Sequence, residues 1–265
     1  MAADEVTHER VEFYRRYGAI KVPGVISRDE AAEFRAVAME LLLAGPTGEL
    51  DRDGVNHQRV QVWKSNQTLR RLTMHPRVGA AAEQLAGVPL RLWHDDIIAK
   101  PPYNEGPTRP HQDMPQWPLG NAPQALTAWV ALQDTSVEMG CMTFAMGSQR
   151  WSDLPKEIAQ GHRADIAKGS LQGVAEIAWL PRIMIPLEAG DCTFHNGYTF
   201  HMAGANSTDE WRVAQRAAMV EATAVYDPHL PHAVIDNLGL SPGDGLPDDA
   251  FPLVAGWAET ATPNG

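Results

Sequence analysis

The chain has 265 residues, 44% of them hydrophobic and 21% charged, enough to bury a sizeable core in one large domain or two small ones. Its 22 basic residues against 33 acidic ones give a formal charge of −11, with no basic stripe of the kind that displaces counterions from nucleic acid. No stretch approaches the roughly 18 apolar residues of a membrane span, and the opening MAADEVTHER is too charged for a secretory signal core.

The first part, about 1–87, reads as mainly helical. Val11, Tyr14 and Tyr17 recur at helical spacing, and Gly18 is placed to end that helix. An extended piece, GAIKVPGV, follows, with Ile20 and Val22 on one face. Ser27 and Glu30 have the spacing of a capping box, in which hydroxyl and carboxylate satisfy free amides at a helix start. Beyond it, Phe34, Val37, Ala38, Leu41 and Leu42 form an apolar stripe. Pro76 opens another short helix that ends near Gly87.

After Val88 the period changes. LRLWHDDIIAKPP reads as a strand entering a turn, and ALTAWVALQD alternates, with Leu126, Ala128, Val130 and Leu132 opposite Thr127, Trp129 and Ala131. Further strands are predicted at CMTFA, RIMIPL, DCTFHN, YTFHMAG and RVAQRAAMVEATAVY. The predicted fold class is mainly β with flanking helices: a double-stranded β-helix, or jelly roll, over about 88–226, buttressed by the N-terminal helices. Residues 151–180 lack strand alternation and read as a long insertion, a candidate lid. The tail, 227–265, is rich in Pro, Gly and Asp and is expected to wrap the surface without a regular element. No linker divides the chain, so a single domain over 1–265 is expected. Two cysteines, Cys141 and Cys192, are too few for a disulfide scaffold and fit a reducing, cytoplasmic location.

Three features could carry chemistry. His111 and Asp113, in RPHQDMPQW, point the same way if the chain is extended and could converge on one metal ion. A surface pair is the plainer reading. His201, on a predicted strand, is by itself more often a satisfied core residue than a ligand. With His111 and Asp113 it would complete the two-histidine, one-carboxylate set of non-haem iron(II) oxygenases, which leaves three coordination positions open. Arg212, eleven residues further on, presents a planar fork matched to a carboxylate such as the distal one of 2-oxoglutarate. The plainer reading pairs it with Asp209 or Glu210, and Arg216 is in phase on the same strand as a rival.

The segments YGAIKVPGVISRDEAAEFR, AKPPYNEGPTRPHQDMPQW and GDCTFHNGYTFHMAGANSTDEWR, in this order and spacing, resemble the phytanoyl-CoA dioxygenase family of iron(II)- and 2-oxoglutarate-dependent oxygenases. The resemblance implies iron(II), 2-oxoglutarate as cosubstrate and O2. It implies His111, Asp113 and His201 as iron ligands and catalytic residues, and Arg212 as the anchor of 2-oxoglutarate. Trp129 matches a tryptophan lining the cosubstrate pocket, Lys100 a lysine ahead of the ligand loop, and Asn206 the asparagine after the distal histidine. Ala203 stands where the family usually has serine, and Met146-Gly147-Ser148-Gln149 where relatives have a Pro-Gly-Ser-His turn. Halogenating relatives replace the carboxylate ligand; Asp113 is intact, which argues for hydroxylation-type chemistry.

Gln112, Met114, Trp117 and His195 lie near these ligands and are candidate substrate residues. Core packing is the plain alternative for Met114 and Trp117, and a structural or supporting place for His195. The expected function is oxidation of a small-molecule metabolite by C–H abstraction, by hydroxylation, cyclisation or epimerisation, in secondary metabolism because no polybasic cluster suits coenzyme A. The partner is a small molecule, not nucleic acid or membrane, and no pattern encodes the oligomeric state. A cupin-type metal enzyme that does not use 2-oxoglutarate and a non-catalytic jelly-roll binding module remain the alternatives.

Overall fold

The computed structural model describes residues 6–44, 49–50, 55–154 and 177–256. Helix α1 (His8–Tyr17) is capped by Thr7 and stopped by Gly18, whose φ of 79° suits a residue without Cβ. Strand β1 (Ala19–Val22) leads to α2 (Arg28–Leu43). Both halves of the Ser27–Glu30 capping box are present there, and Phe34, Ala38 and Leu42 are buried. Next come β2 (Glu49–Leu50), β3 (His57–Val60), α3 (Val62–Ser65), α4 (Gln67–Thr73) and α5 (Pro76–Ala86). The remaining strands are β4 (Leu90–Lys100), β5 (Thr108–His111), β6 (Leu119–Gly120), β7 (Leu126–Ala131), β8 (Met142–Ala145), β9 (Arg182–Met184), β10 (Cys192–Asn196), β11 (His201–Ala203), β12 (Arg212–Glu221) and β13 (Val225–Tyr226).

A seven-stranded antiparallel sheet, in the order β1-β10-β7-β12-β4-β3-β2, faces a four-stranded sheet, β5-β11-β8-β9. The alternation of β7 explains how they stack. Leu126, Ala128 and Val130 join Phe34, Leu42, Leu72 and Leu85 in the core beneath the helices. Trp129 and Ala131 point the other way, to Phe144 of β8 and Ala203 of β11 between the sheets. Every β7 residue is thus buried, by helices on one side and by the second sheet on the other. This is the jelly roll with flanking helices.

Several elements differ from the reading of the sequence. β3 and β5 are strands that periodicity does not reveal. HQRV is polar, and TRPH contains a proline, which the edge position of β5 tolerates. The stretch read as YTFHMAG is strand only over His201–Ala203, because a turn, with Thr199 N donating to Asn196 O, occupies its first residues. The long strand read at 212–226 breaks after Glu221, and β13 pairs instead with β6.

The proposed insertion at 151–180 falls largely on 155–176, outside the described residues. Among the described residues the tail has only short 3-10 turns, yet it does more than wrap the surface. Ile235, Leu246, Phe251 and Val254 are buried, and Phe251 stacks on Trp93 at 5.2 Å. The buried Arg91 guanidinium donates to the carbonyls of Leu246 and Phe251, each at 2.9 Å, and so ties the tail to β4. Cys141 and Cys192 are free thiols, both buried. Among the described residues, no helix is long and apolar enough to cross a membrane.

Candidate metal centre

Strands β5 and β11 pair antiparallel with His111 directly opposite His201, so the sheet places two imidazoles side by side, ring centroids 4.2 Å apart. Asp113 does not reach them by strand alternation, as the i, i+2 spacing suggested. The chain leaves β5 and turns at Asp113 (φ −78°, ψ −51°), where the amides of Asp113 and Met114 both donate to Gly197 O at 2.9 Å. That turn swings the carboxylate back toward the imidazoles. Asp113 Oδ1 lies 3.6 Å from His111 Nε2 and 3.5 Å from His201 Nε2, and one ligand atom from each residue falls within 4.8 Å of the others.

The protons decide what this cluster can hold. His111 Nδ1 is 2.7 Å from Arg109 O, and His201 Nδ1 is 3.0 Å from Thr199 O. A carbonyl only accepts, so each Nδ1 carries the hydrogen and each Nε2 presents a bare lone pair. Two lone pairs and a carboxylate oxygen therefore converge with no proton to share, an arrangement that a cation relieves. Burial, first, drives His201 well below the ordinary imidazole value, which keeps it a neutral ligand. Nitrogen, nitrogen and oxygen donors on one side of a site fit iron(II).

A cavity of about 220 Å³ opens onto these atoms. Besides His111 and Asp113, its walls include His94, Arg109, Trp117, Arg216 and His232. His94 and Trp117 meet edge to face at 5.9 Å, and His232 lies 5.1 Å from Trp93 behind them. Burial lowers the pKa of His94.

The structure separates the other residues singled out in the sequence. Arg212 is buried, donating to Gly140 O at 3.0 Å and to Asn56 Oδ1 at 3.1 Å, with its guanidinium 5.5 Å from the Trp129 ring. Arg216, four residues further along the same face of β12, is paired with buried Asp96, which Gln58 also contacts. Lys100 lies opposite Arg212 on β4, and its ammonium donates to Gly204 O at 2.6 Å and Gly106 O at 3.0 Å. Asn206 shapes the β11–β12 turn by donating to Glu210 O at 2.7 Å. Of the four substrate candidates, only Trp117 borders the cavity. Gln112 is buried and donates to the carbonyls of Trp151 and Tyr198, and Met114 packs in an apolar cluster with Trp93. His195 sits behind Asp113, its Nε2 3.3 Å from Oδ2.

Thr127, His94 and His232 were missed. Thr127 was legible as the inner-face neighbour of Trp129, and His94 shares strand parity with Lys100. Nothing local marks His232, which the folded tail delivers.

Two imidazoles and a carboxylate gathered on one face of a jelly roll are the ligand set of one class, the non-haem iron(II) oxygenases. Within it, the chain belongs to the phytanoyl-CoA dioxygenase (PhyH) family, whose family model matches residues 14–214. It is 27% identical over 163 residues to a probable phytanoyl-CoA dioxygenase of Caenorhabditis elegans, covering 59% of this chain and 52% of that one. To the peroxisomal phytanoyl-CoA dioxygenase of Rattus norvegicus it is 22% identical over 225 residues, 78% of this chain and 66% of the relative. The chain thus spans about half to two thirds of the length of these relatives. Among solved structures, it is 39% identical to SnoN, the non-heme alpha ketoglutarate dependent epimerase of nogalamycin biosynthesis, with a TM-score of 0.79 over 92% of this chain and 94% of that one. The carbocyclase SnoK of the same biosynthesis is 36% identical, with a TM-score of 0.80 over 96% and 98%. One SnoN structure contains Fe3+, alpha ketoglutarate and nogalamycin RO.

Proposed function

We propose that this protein is an iron(II)- and 2-oxoglutarate-dependent dioxygenase that oxidises a C–H bond of a small-molecule metabolite in secondary metabolism. The observation that carries the reading is the convergence of two unprotonated Nε2 atoms on Asp113 Oδ1. His111, Asp113 and His201 would hold the iron and leave three positions open. With iron(II), 2-oxoglutarate and O2 bound, the site supplies oxidative decarboxylation of the keto acid to succinate and carbon dioxide, coupled to hydrogen removal from the substrate.

Arg212 would take the distal carboxylate of 2-oxoglutarate, its guanidinium held flat by Trp129 and aimed by Gly140 O. Lys100 would act at one remove, fixing the Gly204 backbone just after β11. The rings of His94, Trp117 and His232 would orient the substrate's C–H bond and keep bulk water from the reacting atoms. Likeness to SnoN and SnoK supports a substrate from secondary metabolism, and the two differ in outcome, epimerisation against ring closure. Hydroxylation, epimerisation and cyclisation share the hydrogen-removal step, so substrate placement against this wall selects among them. Two buried free thiols support a reducing, cytoplasmic setting.

Anaerobic titration with iron(II) and 2-oxoglutarate tests the reading by visible absorption. A weak metal-to-ligand charge-transfer band is expected in the parent chain and lost in His111→Ala. A parent chain without the band, or turnover independent of 2-oxoglutarate that survives Arg212→Ala, would favour the cupin-type alternative. Absence of any iron(II) or manganese(II) binding would favour a non-catalytic module.

A further inference from the structure

The two oxygens of Asp113 face different neighbours. Oδ1 looks toward the bare Nε2 atoms of His111 and His201. Oδ2 looks toward the large sheet, where Thr127 Oγ1 donates at 2.7 Å and His195 Nε2 lies at 3.3 Å. Thr127 on β7 and His195 on β10 are direct cross-strand partners, so the sheet register itself builds this pair. Both are buried, His195 to 1% exposure.

A carboxylate oxygen accepts, so His195 holds its proton on Nε2, the opposite tautomer from the two imidazoles in front of it. Its Nδ1 is buried without a hydrogen-bond partner among the described residues. A buried polar atom left unpaired is costly, and a core aromatic here would avoid that cost. What the imidazole adds over a hydrocarbon ring is the single N–H aimed at Asp113.

We propose that His195, together with Thr127, is a positioning residue that pins Asp113 Oδ2 and thereby holds this carboxylate to one-oxygen metal ligation. The inference rests on the metal reading above. Two imidazoles and one carboxylate oxygen leave three positions of an octahedron, and a keto acid binding through two atoms plus O2 requires all three. A carboxylate free to rotate could bind through both oxygens and close one of them. With Oδ2 engaged by two donors on a rigid sheet, that rotation breaks both hydrogen bonds. His195 therefore sets how many positions stay open, without touching substrate or cosubstrate.

The test compares the parent with His195→Phe, which keeps a buried ring, His195→Gln, which can restore an N–H near the position of Nε2, and Thr127→Val. Manganese(II) and 2-oxoglutarate affinities are read by calorimetry, and the coordination number by the visible spectrum of the cobalt(II)-loaded protein. His195→Phe and Thr127→Val are expected to shift the cobalt spectrum toward higher coordination and to weaken 2-oxoglutarate binding by about 10–100-fold. His195→Gln should return these toward the parent values. Thermal melts establish that each variant is folded, and if His195→Phe fails to fold, Thr127→Val carries the same comparison. A folded His195→Phe or Thr127→Val with parental affinities and an unchanged cobalt spectrum would overturn the role of the pair alone. A parent chain that bound no manganese(II) would overturn the metal reading and this inference with it.

Discussion

At the scale of single residues, the site is a problem of where protons and charges are allowed to sit. Two backbone carbonyls, of Arg109 and Thr199, fix the tautomers of His111 and His201 and so turn ordinary histidines into ligands. Asp113→Asn keeps one carbonyl-type oxygen but removes the charge. It is expected to lower manganese(II) affinity by more than the roughly 10–100-fold associated with losing an outer partner, read by calorimetry. Arg212→Met should leave metal affinity intact. It should raise the dissociation constant for 2-oxoglutarate by about thirtyfold or more, from the ~2 kcal/mol or more that a lost buried charged partner costs. If titration of the manganese-loaded variant with 2-oxoglutarate shows no change, the anchor is Arg216. The structure already gives Arg216 a carboxylate partner in Asp96, which is the physical reason to prefer Arg212.

At the scale of elements, turns and caps decide whether those residues arrive. Gly140, between β7 and β8, has a φ of 75°, and a Cβ there would lie 2.7 Å from Ala205 O and closer still to Gly204 O. Gly140→Ala is therefore expected to cost about 2 kcal/mol or more in stability, seen in a denaturant melt. Because Gly140 O accepts from Arg212, the variant should also bind 2-oxoglutarate more weakly. Ser27→Ala removes the hydroxyl half of the α2 capping box, for an expected loss of about 1 kcal/mol with cosubstrate affinity unchanged. The contrast between these variants separates an element that only supports the sheet from a turn that also aims a ligand.

The legibility of the elements follows the same division. Helices α1, α2 and α5 could be read because their caps and apolar stripes are local signals. β7 could be read because its run LTAWVA is apolar apart from Thr127, with one face against the helices and the other against a sheet. β3 and β5 could not, because edge or near-edge strands with polar or proline residues are held by partners far away in the chain.

For the molecule as a whole, the helical layer imposes a pH dependence of its own. Asp95 points from β4 into the core beneath the helices, where its carboxylate accepts from Trp63 N at 3.1 Å and Thr73 Oγ1 at 2.6 Å. Burial, above all, raises its pKa to about 7. In the unfolded chain the value is an ordinary ~3.9. Between about pH 4 and pH 7 the folded chain keeps a proton that the unfolded chain has lost, so stability from this group falls as pH rises through that window and levels off above it. Asp95→Asn keeps the acceptor for Trp63 and Thr73 and has no charge to bury. Urea melts across this range should show a shallower decline for the variant than for the parent, and identical slopes would refute the assignment.

The residues by themselves determined a great deal: a mainly β chain with capped helices ahead of it, no charge pattern for nucleic acid, and a set of histidine, aspartate and arginine types in an order that resembles one enzyme family. Those features are written in local periodicity, in caps and in composition, so they survive without coordinates. Only the tertiary structure decided that Asp113 arrives by a turn on Gly197 rather than along a strand, that His195 and Thr127 stand behind it, and that the tail brings His232 to the cavity. Each of these depends on cross-strand register or on packing between residues tens of positions apart. Such contacts leave no mark on the spacing of neighbours along the chain.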